Sequence, residues 1–222
     1  LRITEPEYGP YQINVTSINA DISPQRKRLE LLKGESINLI WTSGHKLLEE
    51  NLFKVPFPTM KGVLGYRVMI IHADRQDEFS EITTLEQLKL LKPGQGEHWK
   101  DTYIYQKNEF NVVTALDITA LFRMFKGKRF DFFPLGINEV SRELANFKDE
   151  YPFLALEKEL LIKYSLPVYF MVSPKDPVLA KRLLTGLRMI DKSGEFDRIF
   201  DKYIQTDIDN LGLDKRRILE LK

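Results

Sequence analysis

Gly65-Tyr66-Arg67-Val68-Met69-Ile70-Ile71 and Leu166-Pro167-Val168-Tyr169-Phe170-Met171-Val172 are the two stretches that decide the predicted fold. Each is an apolar run of the length of a buried β-strand. Strand-like and helix-like segments alternate between them, which predicts an α/β fold with a mostly parallel sheet and helices on both faces. If the two runs lie side by side, the segment between them is a domain inserted into another domain. We therefore expect a first lobe of residues 1–68 and 168–222 and a second lobe of residues 69–167.

The segments outside these runs carry local signals of their own. Residues 11–17 alternate apolar and polar side chains, with Ile13 and Val15 apolar, and predict a strand. Pro24 opens a predicted helix that ends at Gly34, and a short buried strand over residues 37–41 follows it. After residue 204 the chain is a polar tail that we expect to be helical.

The composition restricts the function classes. The chain has 222 residues, with 33 Lys and Arg against 32 Asp and Glu, so its net charge of +1 gives no field that favours nucleic acid or an anionic membrane. The absence of cysteine excludes a disulfide scaffold, cysteine-ligated zinc and thiol catalysis. The three histidines fall in separate predicted elements, so we expect no metal site and no cofactor. Because residue 1 is not methionine, we expect a trimmed chain.

A glycine-rich stretch, Lys92-Pro-Gly-Gln-Gly-Glu-His-Trp-Lys-Asp101, is the first candidate for a binding site. It lies between an apolar run and a helix-like segment, an arrangement that presents backbone N–H groups to a ligand. Gln95 and the amides of Gly96 and Glu97 are candidates to hold an anionic or carbonyl oxygen, and His98 is a candidate donor. Trp99 can supply a flat apolar wall. The alternative is an ordinary turn before a helix.

The order of several short motifs resembles the type II periplasmic solute-binding proteins, the bilobed fold of polar amino-acid receptors, and a bacterial subgroup of them. The resemblance covers residues 11–204 and is carried by Gly62–Arg67, Thr83–Leu88, Gly94–Trp99, Lys126–Asp131 and Phe133-Pro134. It implies two strands that cross between the lobes as a hinge, over residues 63–71 and 166–172. It also implies that the first βα unit of the fold is missing, because only the short stretch Leu1–Glu7 stands where that unit would precede residues 11–17.

The resemblance further implies a function. A protein of this kind closes around a small polar or carboxylate-bearing solute in the periplasm and delivers it to an ABC transporter or a sensor. It implies a monomer whose partners are the solute and a membrane permease or sensor kinase, with no nucleic acid and no catalysis. An enzyme on the same fold, or a sensory domain of a larger signalling protein, remains an alternative.

Two departures from the amino-acid receptors concern the ligand. Those receptors clamp the ligand carboxylate with an arginine before the first crossing, where this chain has His45 and Lys46. They hold the ligand ammonium with an aspartate at the position that matches Gly136. Both departures disfavour an ordinary α-amino acid as the solute.

The predicted ligand-binding residues combine these observations, and no catalytic residue is predicted. Arg67 can bind a carboxylate or phosphate, or can instead pair with Glu139 or Asp101. Glu139 can replace the missing acidic anchor, or can simply favour the start of a helix. Trp41 can contact the ligand or pack in the core. The full set is Trp41, Thr42, Ser43, Arg67, Gln95, Gly96, Glu97, His98, Trp99, Phe133, Glu139 and Tyr169.

Overall fold

The computed structural model describes residues 1–15, 24–43 and 51–222. Its strands are β1 (Leu39–Thr42), β2 (Phe53–Lys54), β3 (Tyr66–His72), β4 (Gly94–Gly96), β5 (Val113–Ala115), β6 (Phe133–Gly136), β7 (Leu154–Leu156), β8 (Leu160–Lys163), β9 (Tyr169–Val172) and β10 (Arg217–Glu220). Its α-helices are α1 (Glu5–Tyr8), α2 (Pro24–Lys33), α3 (Gln76–Ser80), α4 (Leu85–Lys89), α5 (Lys100–Lys107), α6 (Ile118–Lys126), α7 (Val140–Lys148), α8 (Pro177–Lys192), α9 (Glu195–Phe200) and α10 (Thr206–Leu211). None of these helices is long and apolar enough to cross a bilayer.

The chain forms two compact units. Unit 1 consists of Leu1–Lys61 and Pro167–Tyr203, and unit 2 consists of Gly62–Leu166 and Ile204–Lys222. The chain therefore passes from one unit to the other after Lys61, after Leu166 and after Tyr203.

Unit 1 is built around β9, which pairs antiparallel with β1 on one side and with β2 on the other. Neighbouring residues of a strand point to opposite faces of the sheet, so Met171 and Val172 enter different clusters. Met171 packs with Leu31 of α2, whereas Val172 packs with Leu183 of α8. The sheet of unit 1 thus has an apolar helix face on each side.

Unit 2 is built around β3, whose residues Val68–Ile71 have no exposed surface. The strand order is β10-β8-β3-β6, and β7 also pairs with β3. A second, smaller ladder joins β4 to β5 in parallel. The continuous apolar run of β3 follows from this position, since both of its faces are covered.

Most strand pairs are antiparallel, and the expectation of a mostly parallel sheet is wrong. β3 runs antiparallel to β6, β7 and β8, and β9 runs antiparallel to β1 and β2. Parallel pairing is found for β10 with β8 and for β4 with β5. A strand that follows a passage between units is not part of a local βαβ crossover, so nothing in the connection forces it to be parallel.

The two apolar runs do not lie side by side in one sheet. β3 belongs to unit 2 and β9 to unit 1, and each pairs with other strands. Arg67, which the expected boundary at residue 68 places in the first lobe, lies in unit 2. Apolarity marks both strands as buried but carries no information about their partners.

The C-terminal tail ends in a strand of unit 2, so its assignment to a helix of the first lobe differs from the structure. β10 pairs in parallel with β8. Arg216, just before β10, donates from Nη1 to the backbone oxygens of Glu157 and Leu160 at 2.7 and 3.1 Å. The two-residue alternation of buried Leu219 and Leu221 is the signal that indicates a strand here.

Two further predictions fall on or beside residues that the structure does not describe. Residues 11–15 form no strand with a described residue, and residues 16–17 lie outside the described ranges. His45 and Lys46, where the receptors have an arginine, also lie outside them.

Candidate solute-binding site

Arg67 is the centre of a polar cluster in unit 2. Its side chain is 7% exposed, and Nη2 contacts Asp101 Oδ1 at 2.6 Å while Nη1 contacts Glu139 Oε2 at 3.3 Å. Nε donates to the Tyr164 hydroxyl at 2.8 Å, and that hydroxyl in turn donates to Asp101. Arg67 was expected either to bind a ligand or to pair with Glu139 or Asp101. The structure shows it paired with both of these carboxylates.

Two helix N-termini bring these carboxylates to Arg67. Asp101 lies in the first turn of α5, and Glu139 is the residue that precedes α7. Carboxylates are favoured at helix N-termini because the backbone N–H groups there carry partial positive charge. The same local preference that places an acid at the start of each helix therefore supplies the partners of Arg67.

The electrostatics of the cluster keep Arg67 charged. Burial alone lowers the pKa of Arg67, but Tyr164 and the carboxylates of Asp101 and Glu139 together raise it above its ordinary value. Burial also raises the pKa of Tyr164 well above its usual range, so the phenol stays protonated. Arg67 contributes one positive formal charge and the two carboxylates contribute two negative ones, so the formal charge of the cluster is −1.

Gly136 lets the cluster close. A Cβ at this position would lie 2.8 Å from Arg67 Nη1, 2.9 Å from Asn138 Oδ1 and 3.0 Å from Glu139 Oε2. The Gly136 amide donates to Glu139 Oε2 at 3.1 Å. At this position the amino-acid receptors that the chain resembles have an aspartate. This chain has a glycine there, and the carboxylate of Glu139 occupies the space beside it.

Glu139 is the member of the cluster that remains accessible. Its side chain is 38% exposed. Oε2 takes both hydrogen bonds, from Arg67 and from Gly136, and among the described residues none donates to Oε1. An acceptor with a negative charge therefore faces solvent beside a buried cation.

The glycine-rich stretch is part of a sheet. Gly94–Gly96 is the buried strand β4, and the Glu97 amide donates to the Ala115 oxygen at 2.9 Å, so this amide is no free donor. Gln95 is fully buried and donates from Nε2 to the Pro134 oxygen at 3.4 Å, while its Oε1 has no partner among the described residues.

The glycines of this stretch serve close packing against aromatic rings. A Cβ at Gly96 would overlap the ring of Trp99, and a Cβ at Gly94 would overlap the ring of Phe130. The Trp99 ring is stacked on Phe133, with centroids 6.2 Å apart and an angle of 13°. Phe133 is fully buried, and Trp99 keeps part of its surface exposed. Glu97 and His98 are both exposed.

The remaining predicted residues lie in unit 1. Trp41 and Thr42 of β1 stand opposite Phe170 and Tyr169 of β9, and Ser43 follows β1 directly. Trp41 is exposed, and its Nε1 donates to Thr59 Oγ1 at 2.7 Å. Lys54 places its ammonium 4.4 Å from the centre of the Tyr169 ring.

The structure thus sorts the predicted residues into two groups. Arg67, Gln95, Gly96, Glu97, His98, Trp99, Phe133 and Glu139 belong to unit 2, and Trp41, Thr42, Ser43 and Tyr169 belong to unit 1. No pattern in the sequence indicated Tyr164, which lies 97 residues from Arg67 along the chain. In the described part of the chain, no group of three His, Asp or Glu side chains is placed to hold a metal ion.

Comparison with solved structures identifies the architecture. Neither a protein-family model nor a curated protein sequence matches this chain. An arginine transport-system periplasmic binding protein from Legionella pneumophila matches with a TM-score of 0.55 and 16% identity over 79% of this chain and 76% of that one. The GluR0 ligand-binding core in complex with L-glutamate matches with a TM-score of 0.59 and 12% identity over 82% and 78%. This is the type II periplasmic-binding-protein fold.

The fold that the resemblance implied is therefore confirmed. A third match to the type II periplasmic-binding-protein fold is an ancestral amino acid-binding protein, a precursor of cyclohexadienyl dehydratase. It has a TM-score of 0.53 and 14% identity over 80% of this chain and 73% of that one. At these identities the likeness establishes the fold alone, and function has to be argued from the residues.

Proposed function

We propose that the protein is an extracytoplasmic solute-binding protein whose small polar solute carries an ammonium or guanidinium group. The observation that carries this proposal is the double ion pair of Arg67, which leaves the site one negative charge in excess and Glu139 Oε1 facing solvent. A cationic donor is the group that such an acceptor binds best.

The charge of the cluster disfavours a solute that is recognised by its carboxylate alone. To bind that carboxylate, Arg67 would have to give up a buried partner, and breaking a buried ion pair costs about 3–5 kcal/mol. A hydrogen bond to a charged group contributes only about 1.5–3 kcal/mol. For a donor that approaches Glu139, no existing pair has to be broken.

Aromatic surface is available for the rest of the solute. The exposed part of Trp99, held by its stacking on Phe133, can cover an apolar stem or the face of a cation.

The proteins with the same fold support solute binding. The two described above are an arginine transport-system periplasmic binding protein and a ligand-binding core in complex with L-glutamate. We extend the proposal accordingly to a periplasmic location and to delivery of the solute to an ABC transporter or a sensor.

An enzyme on this fold is the second candidate, favoured by the likeness to a precursor of a dehydratase. The cluster around Arg67 offers little to acid–base catalysis at neutral pH. Burial raises the pKa of both Tyr105 and Tyr164 well above the usual range, away from the neutral region in which a general base works. Binding therefore accounts for the arrangement better than turnover does.

Calorimetric titration of Glu139→Gln tests the proposal. Agmatine carries an ammonium and a guanidinium without a carboxylate, and glutarate carries two carboxylates without a cation. We expect agmatine to bind the unaltered protein, and Glu139→Gln to weaken it by about tenfold or more, the equivalent of one charge-assisted hydrogen bond. Glu86→Gln, which removes an exposed carboxylate of a surface pair with Lys89, should leave binding unchanged.

Two results would overturn the proposal. The first is that glutarate binds and agmatine does not. The second is that agmatine binds Glu139→Gln as tightly as it binds the unaltered protein, since the charge of Glu139 would then play no part in binding.

A further inference from the structure

The two carboxylates that pair with Arg67 lie at different depths in unit 2. The Asp101 side chain is largely buried, and its Oδ1 lies 2.6 Å from Arg67 Nη2. The Glu139 side chain is partly exposed, and its Oε2 lies 3.3 Å from Arg67 Nη1. We call Asp101 the inner carboxylate and Glu139 the outer carboxylate. The proposed contact with the solute uses only the outer one.

The inner carboxylate is fixed from two sides. Asp101 Oδ1 contacts Arg67 and also accepts a hydrogen bond from the Tyr164 hydroxyl, which itself accepts from Arg67 Nε at 2.8 Å. These three side chains form a closed triangle of polar contacts, and Arg67 and Tyr164 are both buried. Separating the inner pair would leave a buried charge without a partner, whereas the outer carboxylate can exchange Arg67 for water. The inner pair is therefore the persistent one.

The inner pair decides how Arg67 and Glu139 act on a solute. Arg67 and Asp101 together carry no net formal charge, so the formal charge of −1 belongs to Glu139. If Asp101 were neutral, the positive charge of Arg67 would instead offset that of Glu139, because the two groups are only 3.3 Å apart. A guanidinium that lacks a tight partner is also well suited to binding a carboxylate through two hydrogen bonds. Loss of the inner charge thus affects cations and anions in opposite directions.

Selectivity is a difference between two affinities, and it increases when the unwanted ligand finds its partner already taken. We propose that Asp101 sets the sign of the solute's charge: it occupies Arg67, which keeps carboxylates from the guanidinium, and it leaves Glu139 with a net negative charge for a cation. This inference rests on the proposed function, because it takes Glu139 as the contact with the solute. Asp101 itself acts through Arg67 and touches no solute atom.

Calorimetric titration of a charge series tests this role. The formal charge of the cluster is −1 in the unaltered protein, 0 in Asp101→Asn and in Glu139→Gln, and +1 in the double variant. Asparagine keeps the size of aspartate and an oxygen that can accept from Arg67 and Tyr164. We expect Asp101→Asn to weaken agmatine by about tenfold, and the double variant to bind glutarate at least about tenfold more tightly than Glu139→Gln does. Glu139→Gln alone should not gain glutarate, because Asp101 still occupies Arg67.

Tyr164→Phe is the matched variant that separates charge from packing. It removes the hydroxyl from the triangle of polar contacts but changes no charge. Combined with Glu139→Gln, it should lower the melting temperature without admitting glutarate. Asp131→Asn, which neutralises the aspartate that pairs with Arg75 at 2.8 Å, should leave the affinities for both ligands unchanged.

Two results would overturn the role of Asp101 and leave the proposed function intact. In the first, Asp101→Asn binds agmatine as tightly as the unaltered protein does, while Glu139→Gln binds it more weakly. In the second, the double variant binds glutarate no better than Glu139→Gln does, or the combination with Tyr164→Phe admits glutarate equally well. If circular dichroism shows that the double variant does not fold, the first comparison decides alone. Agmatine that binds no protein of the series, together with glutarate gained in the double variant, would overturn the proposed function while the barrier to carboxylates stands.

Discussion

Replacing Arg67 with methionine tests whether the polar cluster holds unit 2 together. The variant keeps an unbranched side chain in the sheet but leaves Asp101, Glu139 and Tyr164 without their common donor. The Asp101 side chain is only 14% exposed and cannot be fully rehydrated, whereas Glu139 can turn toward water. Loss of one partner of a buried pair costs about 3–5 kcal/mol, and the exposure of Glu139 favours the lower part of that range.

The expected loss of about 3–4 kcal/mol is a large share of the 5–15 kcal/mol by which a domain is usually stable. For a chain of this size each kcal/mol lowers the melting temperature by roughly 2–4 °C, so we expect a fall of about 6–16 °C. Guanidinium unfolding followed by circular dichroism gives the free energy of unfolding, and calorimetry gives the melting temperature.

Arg75→Met is the matched control for this experiment. Arg75 also pairs with two carboxylates, those of Glu78 and Asp131, but the arginine itself is 21% exposed and both carboxylates are more exposed than their counterparts at Arg67. Exposed ion pairs contribute about 0–1 kcal/mol each, so Arg75→Met, which removes two pairs, should cost no more than about 2 kcal/mol. If Arg67→Met loses less than about 2 kcal/mol and melts with the control, the buried cluster is not a stabilising element and the reasoning is refuted.

Two other substitutions test neighbouring parts of unit 2. Gly96→Ala places a methyl group against the Trp99 ring and should lower the free energy of unfolding by about 1–3 kcal/mol through overpacking. The unfolding curve and the tryptophan fluorescence spectrum measure this effect, and an unchanged spectrum would contradict it. Arg216→Met removes the charge partner of the fully buried Glu157 and should lower the free energy of unfolding by about 3–5 kcal/mol. The amides of β10 should then lose their protection from hydrogen exchange early. Protection that persists in β10 would show that the strand does not depend on Arg216.

Local signals in the sequence account for where several helices begin. Thr84 forms a capping box with Gln87, Asp117 caps α6, and Asp176 with Pro177 opens α8. These features depend on residues three or four positions apart, so a single sequence contains them in full. The buried position of β3 followed in the same way from its continuous apolar run.

The sequence did not indicate which strands pair with each other or which distant side chains make contact. Nothing local distinguishes an apolar strand that pairs in parallel from one that pairs antiparallel, and so the mostly parallel sheet was wrong. The contact of Arg67 with Tyr164 joins residues far apart in the chain, and no spacing rule reaches that far. The pairing of Arg67 with Glu139 or Asp101 was among the alternatives, and the structure places both acids at helix starts.

A thermal-shift titration of the unaltered protein with cationic and anionic solutes tests the central claim most directly. A ligand present at one hundred times its dissociation constant stabilises the folded state by about 2.7 kcal/mol, which corresponds to a rise of roughly 5–11 °C in the melting temperature. The account predicts such a rise with a solute that carries an ammonium or guanidinium group, and none with glutarate or succinate. A rise with the dicarboxylates and none with any cationic solute would contradict it, because the excess negative charge around Glu139 would then not select the ligand.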